Sequence, residues 1–349
     1  MTGDTLKGRV TSGSPVELRL PDTGRSCGTG SGGSVPHDRQ PVRQTAAVPV
    51  VRPTSDSFVV VDLEGADRCD GVVRWAKKIL LDGARSLARS RTYAWASIGE
   101  QISGASVGIS APPEDRDEAI AAFDRAPCEF ALGLDIGKGV NPGDLPVRTA
   151  ADWRNPLLND DDGAARLALV SAGAVAAAAA QLGGLHDSTV AVEGPPPAIN
   201  ALGTAFAGSG AEVLELDEHS LSAVIAARPD VLVLGSAVGL LDHVGAATIE
   251  PAVIVPWGPM PVTTRAVAVA RRNGVEVLPD FVTTVGPLIA AVDSSTDLVG
   301  LIDVAGQRIG GIIEEVRDHP EGPLVGAAIR AEEFLSTWQA QLPFGRPIA

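Results

Sequence analysis

The pattern of apolar and polar positions changes near residue 53. Before this point Gly, Ser, Pro, Thr and Arg predominate, and the segment offers too little apolar surface to offset the entropy lost on ordering. We predict that residues 1–52 form a flexible N-terminal arm, with a short strand at residues 16–20 as an alternative for part of it. Beyond residue 53, short apolar runs alternate with stretches of helical periodicity, a pattern typical of a folded α/β protein.

Residues 53–150 are predicted to form an N-terminal α/β domain. Apolar runs indicate buried strands at residues 57–65, 105–110 and 129–137. Apolar residues at helical spacing predict helices at residues 80–98 and 114–126. The second helix begins with acidic residues, which interact favourably with the positive end of the helix dipole.

Residues 151–310 show a more regular alternation of strands and helices. A long helix is predicted at residues 160–184, followed by strands at residues 188–194, 211–217, 229–237, 252–258 and 275–280, with helices at 196–210 and 263–274. This alternation implies parallel strands, so we expect a doubly wound, Rossmann-like C-terminal domain. Residues 311–349 are predicted to form helices that return over the cleft between the two domains.

Composition narrows the range of functions. Acidic residues outnumber basic ones by 43 to 28, and the net charge of −15 disfavours binding to nucleic acids or anionic membranes. The most apolar stretch, residues 167–184, is mostly alanine and is predicted to be a buried helix rather than a membrane span. Scattered cysteines favour reduced thiols and a cytoplasmic protein. Metal-ligand spacing is absent from the sequence at the cysteines and isolated histidines Cys27, Cys69, Cys128, His186, His219 and His243.

The strand, turn and helix around Gly194 have the topology of a dinucleotide-binding unit. In such units glycines let the backbone approach the pyrophosphate, and the helix N-terminus donates N–H groups to it. Asp217 follows at the distance expected for the acid that binds the adenine ribose, which favours NAD over NADP. The loop continues, however, as Pro195, Pro196 and Pro197, and proline has no N–H to donate. The sequence leaves open whether NAD binds, binds weakly or does not bind.

Six segments, in order, resemble motifs of the glutamate, leucine, phenylalanine and valine dehydrogenases. They are residues 70–74 (DGVVR), 87–96 (LARSRTYAWA), 102–109 (ISGASVGI), 134–137 (LDIG), 190–199 (VAVEGPPPAI) and 277–286 (VLPDFVTTVG). The first is similar to the family's GGxR turn and the fifth to its cofactor loop. The resemblance covers residues 57 to about 338. It implies a two-domain fold, with substrate and oligomer contacts in the N-terminal domain and NAD bound by the C-terminal domain.

Enzymes of this family convert a 2-oxo acid, ammonia and NAD(P)H into an amino acid, and the resemblance implies roles for the matching residues. Asp135 matches the aspartate that transfers protons. The two active-site lysines fall on Ala94 and Ser106, and two asparagines of the family fall on Thr284 and Met260. The implied substrate contacts are Arg74, Ala94, Gly104 and Thr284, and the implied cofactor contacts are Gly194, Pro195, Pro196, Pro197, Asp217 and Gly258.

The departures from the family bear directly on catalysis. Alanine supplies no charge and serine only a hydrogen bond, so we expect the cleft to have lost its positive charge and ordinary oxidative deamination to be absent. Lys138 follows Asp135 by three residues and is a candidate replacement, so Asp135, Ser106 and Lys138 are the predicted catalytic residues. Other cations expected near the cleft are Lys77, Lys78, Arg74 and Arg91, for which surface positions or ion pairs are the alternative.

Two functional hypotheses follow. The first is an oxidoreductase with weakened NAD binding that acts on an altered amino, imino or oxo substrate in specialised bacterial metabolism. The second is a non-catalytic homologue that serves as a ligand-binding or partner subunit. In both cases we expect a small-molecule ligand and a homodimer or larger homo-oligomer, because the family assembles through its N-terminal domain.

Overall fold

The computed structural model describes residues 49–127, 131–141, 143–146, 153–159, 163–250, 253–342 and 345–347. Most of the predicted N-terminal arm, the possible strand at residues 16–20, Cys27 and Cys128 lie outside these ranges. Strand β1 begins at Val50, so the last three residues of the predicted arm belong to a sheet.

The first sheet has five strands in the order β1-β2-β4-β3-β5, with β3 parallel to both of its neighbours and the β1–β2 and β2–β4 pairs antiparallel. Its elements are β1 (Val50–Thr54), β2 (Ser57–Val61), β3 (Arg68–Ala76), α1 (Leu81–Ser97), β4 (Ser103–Ser110), α2 (Arg116–Arg125) and β5 (Ala131–Ile136). Because α1 covers one face and α2 the other, most of this sheet is buried.

Helix α1 lies directly on the sheet because β4 carries glycine beneath it. A methyl group added to Gly104 would sit 1.9 Å from the Ala88 carbonyl oxygen of α1. The Gly104 N–H donates a 2.9 Å hydrogen bond to the Thr92 hydroxyl, which fixes the helix on the strand. Phe58 and Ala84 complete the apolar contact on this face.

Strand β3 was not predicted as a strand, and this part of the interpretation is wrong. The segment that resembles the GGxR turn, residues 70–74, lies in the middle of β3. The alternation of apolar and polar residues in β3 is hidden because Asp70 and Arg74 lie on the face covered by α1, where apolar residues are expected. Both polar side chains have partners on that face.

The second sheet is entirely parallel, in the order β10-β9-β8-β6-β7. Its elements are α3 (Ala164–Leu182), β6 (Thr189–Val192), α4 (Pro196–Gly208), β7 (Glu212–Val213), α5 (Leu221–Ala226), β8 (Val231–Leu234), α6 (His243–Ala246), β9 (Val253–Pro256), α7 (Thr264–Arg272) and β10 (Glu276–Val277). Strand β7, which follows β6 in the chain, pairs with one edge of β6, and the next strand, β8, pairs with the opposite edge. The strand order therefore reverses between β6 and β8. The predicted strand at 211–217 is shorter than expected, with two residues in the ladder.

Helix α3 is the long alanine-rich segment of the sequence. By length and composition it is apolar enough to span a membrane, yet it packs against α4 and β9, and its buried alanines belong to the main core. It ends at Gly183, whose φ of +76° is the left-handed conformation that glycine adopts without strain. The predicted helix and its glycine terminus are both present.

The chain ends in four helices, α8 (Asp280–Thr283), α9 (Gly286–Ala291), α10 (Leu298–Val316) and α11 (Pro323–Ser336). Helix α10 packs on α3, and α11 packs on α1. The Tyr93 hydroxyl donates to Glu332 at 3.0 Å, and Arg330 donates to the Ser97 carbonyl at 2.6 Å. The last helix therefore joins the two sheet-bearing halves of the molecule.

The predicted α/β class, with an N-terminal α/β part and a doubly wound Rossmann-like second part, is confirmed, and the first sheet is mixed. The proposed boundaries at residues 52, 150 and 310 stay predictions, because residues 45–349 form one compact unit.

The close approach of α1 to β4 predicts that Gly104→Ala is destabilising. The added methyl group would overlap backbone atoms of Ala88 and Thr92, which cannot rotate away, so we expect a loss of about 2 kcal/mol or more in urea unfolding. Gly83→Ala is the matched control, because Gly83 is an exposed residue of α1 with open space around it. That substitution is expected to be neutral or to stabilise by up to about 1 kcal/mol. Equal effects of the two substitutions would contradict the packing described.

Candidate functional site

Two buried aspartates lie side by side under α1. Asp70 on β3 pairs in register with Gly133 of β5, and Val72 pairs with Asp135, so both carboxylates project from the same face of adjacent strands. Asp70 is fully buried, whereas the Asp135 side chain is 13% exposed. Buried carboxylates require ion pairs and hydrogen bonds, and each has several.

Helix α1 supplies the partners of Asp70. Arg91 donates to it through Nε at 2.5 Å, and the indole of Trp95 donates through Nε1 at 3.0 Å. These residues are four apart, so they project from the same side of the helix. Arg154 lies further away, with its Nη2 at 3.6 Å from the Asp70 carboxylate.

Three guanidinium groups surround Asp135. Arg91 donates to Oδ2 at 2.6 Å and Arg154 donates to Oδ1, while Nη1 of Arg166 forms an ion pair with Oδ1 at 2.8 Å. Burial alone would raise the pKa of Asp135, but the charges of Arg154, Arg166 and Arg91 hold that pKa well below its ordinary value. Both carboxylate oxygens are therefore occupied, and the group is ionised at neutral pH.

The arginines come from both halves of the molecule. Arg91 belongs to α1, but Arg166 is on α3 and Arg154 precedes that helix in the chain. Burial alone would lower the pKa of Arg154, yet the pKa is raised because Asp135 and Asp70 stabilise its charge. The cluster thus joins the first sheet to the helix that opens the second half.

Ser106 lies on the same face and accepts a 3.1 Å hydrogen bond from Nη2 of Arg74. Ser106 is buried and Arg74 is half-buried. Among the residues that the structure describes, no carboxylate lies within ion-pair distance of Arg74, and burial lowers its pKa. The expectation that positive charge has been lost here is wrong, because Arg74 contacts Ser106 and three other arginines surround Asp135.

The other predicted catalytic and substrate positions are more dispersed. Lys138 has an exposed side chain, although its carbonyl accepts a 3.0 Å hydrogen bond from the Trp75 N–H. Ala94 is buried in the core, and Gly104 is covered by α1. Lys77 and Lys78 are exposed.

Thr284 and Met260 both contact Asp280, whose carboxylate is the third buried one, Met260 at the carboxylate and Thr284 at the backbone carbonyl. The Met260 N–H donates to it at 2.8 Å and the Ser90 hydroxyl at 3.2 Å, while the Thr284 hydroxyl donates to the Asp280 carbonyl. Burial raises the pKa of Asp280 to about 6, against the opposing effect of the hydrogen bonds from Met260 and Ser90. Met260 has a φ of +47°, an uncommon conformation for a residue other than glycine.

The predicted cofactor loop lies at the carboxyl end of the second sheet. Gly194 follows β6 with a φ of +148°, Pro195 precedes α4, and Pro196 and Pro197 form its first two residues. Asp217 is exposed beyond β7. Gly258 packs closely against the residue that follows β8. A methyl group added to Gly258 would sit 2.1 Å from the Gly235 carbonyl oxygen.

Several residues that define these sites were not identified from the sequence. Asp280 lies in the motif segment 277–286 but was given no role, and Arg154 and Arg166 are far in the sequence from Asp135, so only the fold brings them to it. Trp257 carried a usable signal, because a large aromatic residue stands between Pro256 and Gly258 at a strand end where small residues are expected.

Neither a protein-family model nor a curated protein matches this sequence. The fold does match solved structures. Hetero-hexameric glutamate dehydrogenase from Thermus thermophilus, in its leucine-bound form, has a TM-score of 0.64 at 16% identity, over 85% of this chain and 90% of that one. L-tryptophan dehydrogenase from Nostoc punctiforme has a TM-score of 0.60 at 16% identity, over 83% and 95% of the two chains.

Glutamate dehydrogenase from Plasmodium falciparum is similar as well, with a TM-score of 0.63 at 13% identity over 82% of this chain and 80% of that chain. At these identities the likeness establishes the fold. The chain has the two-domain α/β fold of the amino acid dehydrogenases, as the motif resemblance implied.

The cluster around Asp135 predicts a strong effect of Asp135→Asn on stability. Removing the Asp135 charge leaves three guanidinium groups with Asp70 as the one remaining carboxylate of the cluster, so we expect a loss of about 3–5 kcal/mol in the free energy of unfolding, measured with urea. Asp318→Asn is the control, because that carboxylate is 91% exposed in its pair with Arg317. An exposed pair contributes below about 1 kcal/mol. A loss at Asp135 no larger than this would contradict the buried network.

Asp280 predicts a pH dependence of the opposite sign to that of an ordinary acid. Its folded pKa of about 6 lies above the unfolded value, so its contribution to stability is present at acidic pH and is lost as the pH rises through about 6. Above pH 6, Asp280→Asn should therefore have a higher melting temperature than the wild type. Its free energy of unfolding should be about 2–3 kcal/mol larger. The difference should shrink toward about pH 4. A difference that does not vary with pH would exclude a raised pKa.

Proposed function

We propose that this chain is a non-catalytic homologue of the amino acid dehydrogenases that binds a small carboxylate ligand, an amino acid or a 2-oxo acid, beside Ser106 and Arg74. The observation that carries this proposal is the enclosure of Asp135 by three guanidinium groups.

A residue that transfers protons needs a pKa near the working pH and a free oxygen facing the substrate. Asp135 has neither property. Its pKa is held well below the ordinary value, and Oδ1 and Oδ2 both accept hydrogen bonds from arginines. The aspartate therefore serves as the centre of an ion-pair network, and proton transfer at this position is not supported.

Arg74 provides the binding group. It is half-buried and donates a hydrogen bond to the neutral Ser106 hydroxyl, and in the described part of the chain no carboxylate lies within ion-pair distance of it. A guanidinium that is partly removed from water without an opposite charge gains strongly from an anionic ligand, and its planar fork matches a carboxylate. Asp70 and Asp135 are already neutralised, so they do not compete for Arg74.

The similar structures point to the same chemical class. The Thermus thermophilus protein is described with leucine bound, and the Nostoc punctiforme protein is a tryptophan dehydrogenase. Amino acids and their 2-oxo acids are therefore the first ligands to test. We also propose that the chain is cytoplasmic, bacterial and a homodimer or larger homo-oligomer; the Thermus thermophilus protein is described as a hetero-hexamer.

An oxidoreductase that acts on an altered substrate is the second candidate. It is favoured by the retained dehydrogenase fold and by the position of Asp135 on the same sheet face as Ser106. Turnover of any amino or oxo acid with NAD(P)(H), abolished by Asp135→Asn in a variant that remains folded, would support this candidate over the non-catalytic one.

Ligand binding can be measured as a shift in melting temperature and by calorimetry. The probes are leucine, tryptophan, glutamate, 2-oxoglutarate and 4-methyl-2-oxopentanoate, with leucinamide as the analogue that lacks a carboxylate. We expect at least one carboxylate to bind saturably at millimolar concentration and leucinamide not to bind. Arg74→Gln should weaken that binding by about tenfold or more, because it removes a charge-assisted contact.

Arg265→Gln, at an exposed arginine of α7, is the matched control and should leave binding unchanged. Absence of binding by every probe, or equal affinity of Arg74→Gln and the wild type, would overturn the proposed ligand site.

A further inference from the structure

We infer that the crevice at the carboxyl edge of the second sheet takes neither NAD(H) nor NADP(H), because Trp257 and Glu193 of the chain itself fill it. In doubly wound folds a dinucleotide lies where the strand order reverses, which here is between β6 and β8. This inference does not depend on the carboxylate site at Arg74.

The helix that follows β6 offers no donors to a pyrophosphate. Pro195, Pro196 and Pro197 lack N–H groups, and the Ala198 and Ile199 N–H groups donate to the Pro195 carbonyl at 3.0 and 3.1 Å. The Gly194 N–H points to the His219 carbonyl at 3.4 Å. Anion binding at a helix N-terminus depends on free N–H groups, so this helix has lost that property.

The indole of Trp257 occupies the space above the two strand ends. A methyl group built on Gly194 would lie 2.8 Å from Cζ2 of Trp257, and one built on Gly235 would lie 2.8 Å from Cδ2. The indole Nε1 donates a 2.9 Å hydrogen bond to the Glu193 carbonyl, which fixes the ring in place. The glycines that usually admit a dinucleotide here admit a side chain from the end of β9.

Glu193 accepts hydrogen bonds from the backbone N–H groups at the end of β8. Its buried carboxylate accepts from the Gly235 N–H at 3.1 Å, from the Ser236 N–H at 3.2 Å and from the Ser236 hydroxyl. The backbone N–H groups at the end of β8 are therefore satisfied internally. A carboxylate at this position also repels a phosphate group, and the repulsion is strong where water is excluded.

The residues around this crevice thus do not fit the cofactor that the fold family implies. Asp217 lies beyond β7 and is exposed. In dinucleotide-binding units the acid at this position binds a ribose and not a phosphate. One hydroxyl acceptor does not compensate for the loss of the pyrophosphate donors and of the space between β6 and β8.

Calorimetric titration of the wild-type protein with NADH and with NADPH tests the inference directly. We expect no saturable binding at millimolar concentrations of either. Saturable binding of either dinucleotide would overturn the inference while leaving the carboxylate site untouched, because that site is tested with different probes and a different variant.

A pair of variants tests whether Trp257 is the occupant. Trp257→Ala should lower the melting temperature by several degrees, and added indole should recover part of that loss by filling the cavity. Trp257→Phe keeps a ring but loses the hydrogen bond to Glu193, so it should lose less stability and gain nothing from indole. An unchanged melting temperature of Trp257→Ala would show that the ring does not pack in the crevice and would overturn the assignment.

Discussion

The ion pairs between Asp135 and the guanidinium groups of Arg91, Arg154 and Arg166 are the constraint on which the rest of the structure depends. Buried charges are tolerated only when they compensate one another, so these side chains hold their backbones in fixed relative positions. Helix α1 is tied to the sheet at Asp70 and Asp135. Arg154 and Arg166 bring the start of the second half to the same point. The relative positions of α1, the first sheet and α3 follow from this arrangement.

The same arrangement explains why the retained fold does not imply a retained activity. A fold fixes where strand ends and helix termini meet, whereas chemistry depends on which atoms remain free there. At Asp135 the free atoms are used by arginines, and at the end of β8 they are used by Glu193. Two regions that would ordinarily receive ligands are thus satisfied from within the chain. Arg74 is the exception, since it retains a charge that no described side chain compensates.

Much of the architecture could be predicted from the sequence because periodicity records burial. The alternation of strands and helices after residue 151, the glycine end of α3 and the proline start of α4 all predict the observed elements. Strand β3 could not be predicted, because Asp70 and Arg74 interrupt its apolar pattern and their partners lie far along the chain. The site was predicted only in outline. Ser106 and Asp135 do share a face of the sheet. Part of the positive charge beside Asp135 comes from Arg154 and Arg166, which reach it through tertiary contacts that no local sequence pattern records.

The packing of helix α11 determines what a shortened chain would expose. Its residues Arg330 and Glu332 hydrogen-bond to Ser97 and Tyr93 of α1, while the neighbouring α10 packs along α3. A late segment of the chain therefore packs on α1, which covers the first sheet, and also on α10 and β10 of the second half. Expressed alone, a fragment that stops before α11 would expose the apolar side of α1. The last helix thus helps to hold residues 45–349 together as one compact unit.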